Sequence, residues 1–195
     1  MSNWKNPYAV ARFGLTGALG LLADLSLKHW AEVNLSTPDN TGRMPEWDLI
    51  PGWLRLQFTD NHGAALGFFQ GYRWMFLIVS VFAIVFLAGL FSACRKEQRG
   101  YQLILGLLLA GVMGNLFDRV CLGYVRDMIH VFPGRRFPDW IAVHLPAFWA
   151  TPEWFPWIFN IADSFLCMGV TLMLIHGVIH GQKEKPTAMD AEQAT

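Results

Sequence analysis

Asp24, Lys28, Asn115, Asp118, Arg119, Asp127, Asn160 and Asp163 lie within or beside long apolar runs, and Asn61 lies just upstream of another. An ionisable side chain in such surroundings is costly unless it is partnered or does work. Asp127 and Asp163 are the hardest to explain as ordinary surface charges, because a lone carboxylate at the edge of an apolar layer needs a partner. The chemistry these types support is acid–base work at a partly dehydrated site. Other chemistries find little support. No Gly-rich phosphate loop ends in Lys-Ser or Lys-Thr, and no Ser or Cys sits in a nucleophile motif. Cys94, Cys121 and Cys167 form no CxxC pair and no disulfide framework. His62 and His130 lack ligand spacing; His176 and His180 have it but lie far from the other polar groups. No metal and no cofactor is expected.

The apolar runs are long enough to cross a bilayer, which takes about 20 residues. Of the 195 residues, 53% are hydrophobic and only 15% charged, against about 25% charged in a soluble domain. With 15 basic and 15 acidic residues the formal charge is zero, which gives nucleic acid no handle. Four spans are predicted, at about 8–33, 74–94, 100–121 and 158–180. The first has the layout of a cleavable signal peptide, with Lys5 and Arg12 before an apolar stretch. It lacks a small-residue cleavage site and carries Asp24 and Lys28, so it is read as an uncleaved helix.

Basic residues set the orientation. Lys5, Arg12, Arg95, Lys96, Arg99, Lys183 and Lys185, 7 of the 15, flank the ends that face the same side. The positive-inside rule then puts both termini in the cytoplasm and the loops 34–73 and 122–157 outside. In that frame Asp24 lies roughly 20 Å up the first span from Val10 at the helical rise. Asn115, Asp118 and Arg119 close the third span at the same end, and Asn160 and Asp163 open the fourth. Apart from Arg12, the costly groups gather at the outer leaflet. A transmembrane ion path needs polar stations at several depths, and an alternating-access transporter an internal repeat; neither is visible.

The positioning elements follow. Gly111, Asn115 and the pair Asp118/Arg119 share a helical face, as do Asn160 and Asp163, and Asp24 and Lys28 are spaced for an ion pair. Gly106, Ala110 and Gly114 in the third span, and Gly14 and Ala18 in the first, form small-residue rows suited to close helix packing. In the outer loops, Leu54–Phe58 alternates as a strand, and Gly123–Val131 also alternates, weakly, and is expected to pair with it. Residues 132–157 hold five Pro and four Trp (140, 149, 154 and 157), a composition suited to the membrane interface. The fold class expected is an all-α, four-span membrane protein with a small extracytoplasmic β-sheet. Residues 1–183 form its single domain and 184–195 a polar, disordered tail.

Five blocks, in order along nearly the whole chain, resemble the lipoprotein signal peptidase (signal peptidase II) family of membrane aspartic endopeptidases. They are Asp24-x-x-x-Lys28, Asn61-His62-Gly63-Ala64-Ala65-Leu66-Gly67, Gly114-Asn115-Leu116-Phe117-Asp118-Arg119, Gly123-Tyr124-Val125-Arg126-Asp127 and Phe159-Asn160-Ile161-Ala162-Asp163-Ser164. The resemblance implies that Asp127 and Asp163 are a catalytic dyad that activates water. It implies that Asn61, Asn115, Arg119 and Asn160 hold substrate or orient the dyad. Asp24 and Lys28 match a structural pair, and Asp118 is grouped with them as a structural polar residue. The implied substrate is a diacylglyceryl-modified prolipoprotein, cut before its lipidated Cys at the bacterial inner membrane, in contact with membrane lipid; a monomer is expected. Leu25, Leu66 and Met128 depart from the family's usual residues, and the loops before Asn61 and from Pro133 to Pro156 are longer. These departures touch the outer rim rather than the dyad.

Overall fold

The computed structural model describes residues 2–63, 72–146, 149 and 151–181. Ala64 to Gly67 of the second block, the side chain of His180 and the tail 184–195 lie outside the described residues. Four long helices are present: α1 (Pro7–Leu35), α2 (Arg73–Ala93), α3 (Arg99–Cys121) and, last in the chain, α5 (Ile161–Gly181). All four are long and apolar enough to cross a membrane. A 3-10 turn (Asn3–Lys5) leads into α1, whose start is fixed by Pro7 at the first helical position. There the Asn6 side chain accepts hydrogen bonds from the backbone N–H groups of Tyr8 and Ala9. Leu15, Leu19 and Leu22 on α1 and Ile78, Phe82, Val85 and Phe86 on α2 are exposed. Apolar side chains this dense on an outward surface belong against lipid.

Small residues bring the helices together. A Cβ on Gly106 would lie 2.6 Å from the carbonyl oxygen of Phe13 and 2.9 Å from the Cβ of Thr16, so α1 and α3 meet there backbone to backbone. Gly20 faces the Cβ of Ala110, and Gly114 faces the carboxylate of Asp24. The row in α3 is thus an interface, but its counterpart in α1 differs from the expected one. Gly14 has open space around its Cα, and Gly17 and Gly20 make the contacts instead. Small residues recur often enough along α1 that spacing alone does not select the packed row. Gly106→Ala should therefore push α1 from α3 and cost about 1–3 kcal/mol as an overpacking change. Melting in detergent should show a lower Tm for Gly106→Ala and none of that loss for Gly14→Ala. Below this contact Phe13 and Phe91 stack with ring centres 4.4 Å apart, in a core shared with Ala9, Leu87, Leu105 and Leu108.

The extramembrane part is one antiparallel sheet of β1 (Glu46–Ile50), β2 (Leu54–Asn61), β3 (Val125–Val131) and β4 (Ile158–Phe159), in the order β1-β2-β3-β4. The expected pairing of the second and third strands is present, with Leu56 opposite Ile129 and Thr59 opposite Asp127. Between these pairs the register shifts, which bends β2. A one-turn helix, α4 (Asp139–Ala142), interrupts the long loop before β4. The predicted fourth span differs at its start: Ile158 and Phe159 are strand, paired with His130 and Ile129, and the helix begins at Ile161. An apolar pair reads as membrane helix by hydropathy, yet here it completes the sheet edge. Ala31 and Leu35 at the end of α1 pack with Leu56 and Met128, fastening sheet to bundle at the end where the buried polar residues collect.

Candidate active site

Asn160 sits between β4 and α5 and caps that helix. Its Oδ1 accepts from the Asp163 N–H at 3.0 Å, while the Asp163 Oδ2 accepts from the Asn160 N–H at 3.3 Å. This reciprocal pair is a capping box, and it holds the Asp163 carboxylate at the positive end of the helix. The Asn160 amide points the other way, its Nδ2 donating to Asp127 Oδ1 at 2.6 Å. One residue thereby contacts both carboxylates.

Each carboxylate has a second amide. Asn61, the last residue of β2, donates to Asp127 Oδ2 at 2.9 Å, and Asn115 on α3 donates to Asp163 Oδ1 at 2.7 Å. Asn115 Oδ1 in turn accepts from Asn160 Nδ2 at 3.2 Å and from Lys28 Nζ at 3.0 Å. Asp127 is 1% exposed. Burial, followed by the negative charge of Asp163, pushes its carboxyl up to about 7, against the pull of the Asn61 and Asn160 amides. An acid that titrates near neutrality can both give and take a proton at ordinary pH.

Arg119 lies close enough to feel the charge of Asp163 and Asp127, but its bonds go elsewhere. Its NH2 donates to the carbonyl of Gly63 at 3.1 Å, and its guanidinium lies 4.7 Å from the ring centre of Phe76. It is no partner for its neighbour Asp118, although the sequence puts them side by side. Consecutive residues on a helix point about 100° apart, and Asp118 turns to Arg126 instead. Asp118 Oδ1 accepts from Arg126 NH2 at 2.6 Å and Nε at 3.2 Å, and Oδ2 accepts from the Arg126 N–H at 3.0 Å. Arg126 also pairs with Glu32 at 2.9 Å. Arg126 and Glu32 were missed as site residues from sequence. The signal was an unexplained Arg one position before Asp127, on a strand whose alternate side chains face opposite ways.

Lys28 is wholly buried, 2.8 Å from Asp24 and 3.3 Å from Asp118. Asp24 completes the frame, its Oδ1 accepting from the Ala162 N–H at 2.9 Å. A chain of contacts from α1 through Lys28 and Asn115 thus ends on Asp163.

Asp127, Asp163 and Asn61 open on a cavity of about 380 Å³. Its other walls are Phe155, Trp157, Ile158 and Phe159 from the long loop and β4, with Ser164 and Cys167 from α5. Phe155 packs edge-on against both Trp157 and Phe159. The aromatic loop foreseen only as an interface segment thus supplies an apolar wall beside two carboxylates, a pocket suited to an apolar ligand with one polar bond to be acted on. His176 stands elsewhere, stacked on Tyr101. Among the described residues no three His, Cys, Asp or Glu side chains cluster as metal ligands.

Residues 16–179 match the family described as Signal peptidase (SPase) II. The lipoprotein signal peptidase of Anaeromyxobacter sp. (strain Fw109-5) is 34% identical, over 98% of this chain and 85% of its own. That of Latilactobacillus sakei subsp. sakei (strain 23K) is 33% identical, over 89% and 95%. A solved structure described as a bacterial membrane enzyme, determined in meso at 2.3 Å resolution, superposes with a TM-score of 0.70 and 26% identity. The match covers 91% of this chain and 94% of that one.

Proposed function

The chain belongs to the signal peptidase II family, a protease of lipoprotein processing carried on four membrane helices, and from that premise we propose that it cuts diacylglyceryl-modified prolipoproteins just before the lipidated Cys with Asp127 and Asp163 as an aspartic dyad. The observation that carries this reading is Asn160 bridging the two carboxylates at the wall of an apolar cavity.

Asp163 is the base. It accepts two N–H donors at the helix end and takes a proton from a water as the water oxygen attacks the scissile carbonyl carbon. Asp127 is the acid and gives its proton to the carbonyl oxygen, so the tetrahedral intermediate forms as a neutral diol. Collapse reverses the transfers. Asp163 protonates the leaving nitrogen, Asp127 recovers a hydroxyl proton, and the C–N bond breaks. Both carboxyl groups return to their starting states, and no covalent enzyme intermediate is needed. Asn61 and Asn160 hold Asp127, and Asn115 holds Asp163. Arg119, with the Gly63 carbonyl beside it, holds substrate backbone that would lose its hydrogen bonds in lipid. Asp24, Lys28 and Asp118 are structural.

Residues 1–183 form the single peptidase domain, which acts as a monomer in the bacterial inner membrane. The basic flanks support cytoplasmic termini and a dyad at the outer leaflet, where the acyl chains of the substrate meet its signal helix. Asp127 in its acid form must supply the proton, and that form declines tenfold per pH unit above about 7. The expected profile of kcat/KM therefore falls with rising pH on its alkaline side from about 7. A profile flat to pH 9 would rule out Asp127 as the acid.

A further inference from the structure

We propose that the end of the bundle opposite the carboxylates carries a binding site for the phosphate headgroup of an anionic membrane phospholipid, built from Arg12, Lys96, Arg99 and Tyr8. A cavity of about 690 Å³ lies between the first turns of α1 and the link joining α2 to α3, lined by Asn6, Tyr8, Arg12, Lys96, Glu97 and Arg99. Three cations face one carboxylate there. The positive-inside rule explains basic residues on this side of the membrane, but not their meeting in one concavity.

The concavity is held by buried polar groups. Gln102, in the first turn of α3, is fully buried. Its Oε1 accepts from Arg12 Nε at 2.8 Å, and its Nε2 reaches the carbonyls of Arg95 and Lys96 at 3.3 Å each. One amide therefore fixes Arg12 to the link that carries Lys96. Nearby, Asn3 donates to the carbonyl of Phe91 at 3.1 Å and to that of Cys94, and the hydroxyls of Ser2 and Ser92 meet at 2.9 Å. The start of the chain is thus clamped to the end of α2. Arg12, Lys96 and Arg99 form no ion pair among the described residues, so their charge is open to a ligand.

Guanidinium and ammonium donors converging on one space suit the oxygens of a phosphodiester. The surroundings favour a lipid over a soluble phosphate. Tyr8 is exposed at the cavity wall, an aromatic type that settles at headgroup depth, and the exposed Leu15 and Leu19 continue along α1 where acyl chains would lie. The site goes beyond the peptidase reading and does not depend on it.

Native mass spectrometry of the full-length protein in detergent tests it, with phosphatidylglycerol, zwitterionic phosphatidylcholine and soluble glycerol phosphate as probes. Phosphatidylglycerol should bind at least about tenfold tighter than phosphatidylcholine. Each cation near an anionic headgroup contributes about fivefold in affinity, so Lys96→Gln/Arg99→Gln should weaken phosphatidylglycerol about 30-fold and leave phosphatidylcholine unchanged. Lys96→Gln alone, on the exposed link, should weaken it about fivefold. Equal affinity for the two lipids, or undiminished binding by the double variant, would overturn the site. Glycerol phosphate binding as tightly as phosphatidylglycerol would overturn its assignment to lipid.

Discussion

Asp163→Asn is expected to lower kcat for cleavage of a lipidated precursor by about 10³- to 10⁴-fold, and Asp127→Asn by a similar factor, within the range set by removing a positioned acid or base. The two variants fail for different reasons. An amide at 163 keeps one oxygen to cap α5 but cannot take a proton from water. An amide at 127 cannot give one to the carbonyl oxygen, and it can satisfy only one of the Asn61 and Asn160 donors through its single oxygen. Because Asp127 is buried at a cost while charged, its replacement by a neutral amide should not unfold the protein at pH 8. Full retention of the protein in the membrane with cleavage lost is the expected pairing. An Asp163→Asn protein that cleaves within tenfold of wild type would contradict the assigned base.

The second large effect is on stability. Lys28 is buried among Asp24, Asp118 and Asn115. Lys28→Met would leave two buried carboxylates facing each other with less compensating charge, at a cost of about 3–5 kcal/mol. For a chain of this size that corresponds to a fall in Tm of roughly 10 °C. Asp24→Asn added to Lys28→Met should recover part of the loss, since removing both members of a buried pair is far milder than removing one. No recovery would mean that Lys28 acts mainly through Asp118 or Asn115. Turnover should fall as well, because the Lys28 ammonium orients the amide that holds Asp163.

Most of the helical frame was legible because hydropathy over 20 residues is a strong signal. The β2–β3 pairing was legible from alternation in Leu54–Phe58 and Gly123–Val131. Other features depended on relations that spacing cannot express. Asn160 and Asp163 were read as sharing a helix face, whereas their geometry is a capping box at the start of α5, a pattern visible in the sequence as Asn-x-x-Asp once the helix is begun at Ile161 rather than 158. Asp118 and Arg119 were expected on one helical face; helical rotation separates them and hands Asp118 to Arg126 on β3, far in the fold from where periodicity looks. β1 escaped notice since all five of its residues are exposed and carry no buried alternation. The aromatic wall of the cavity comes from Phe155, Trp157 and Phe159, whose placement depends on the short strand β4 pairing with β3. Composition marked that loop as interfacial but had no means to aim it at the carboxylates.

Incubation of the purified protein with a synthetic diacylglyceryl-modified precursor peptide, with and without EDTA, and mass analysis of both products tests the central claim most directly. Two carboxylates acting on water predict a single cut immediately before the lipidated Cys, at the same rate in the chelator. An uncut lipidated peptide, a cut at another bond, or activity that EDTA abolishes and added metal restores would contradict it.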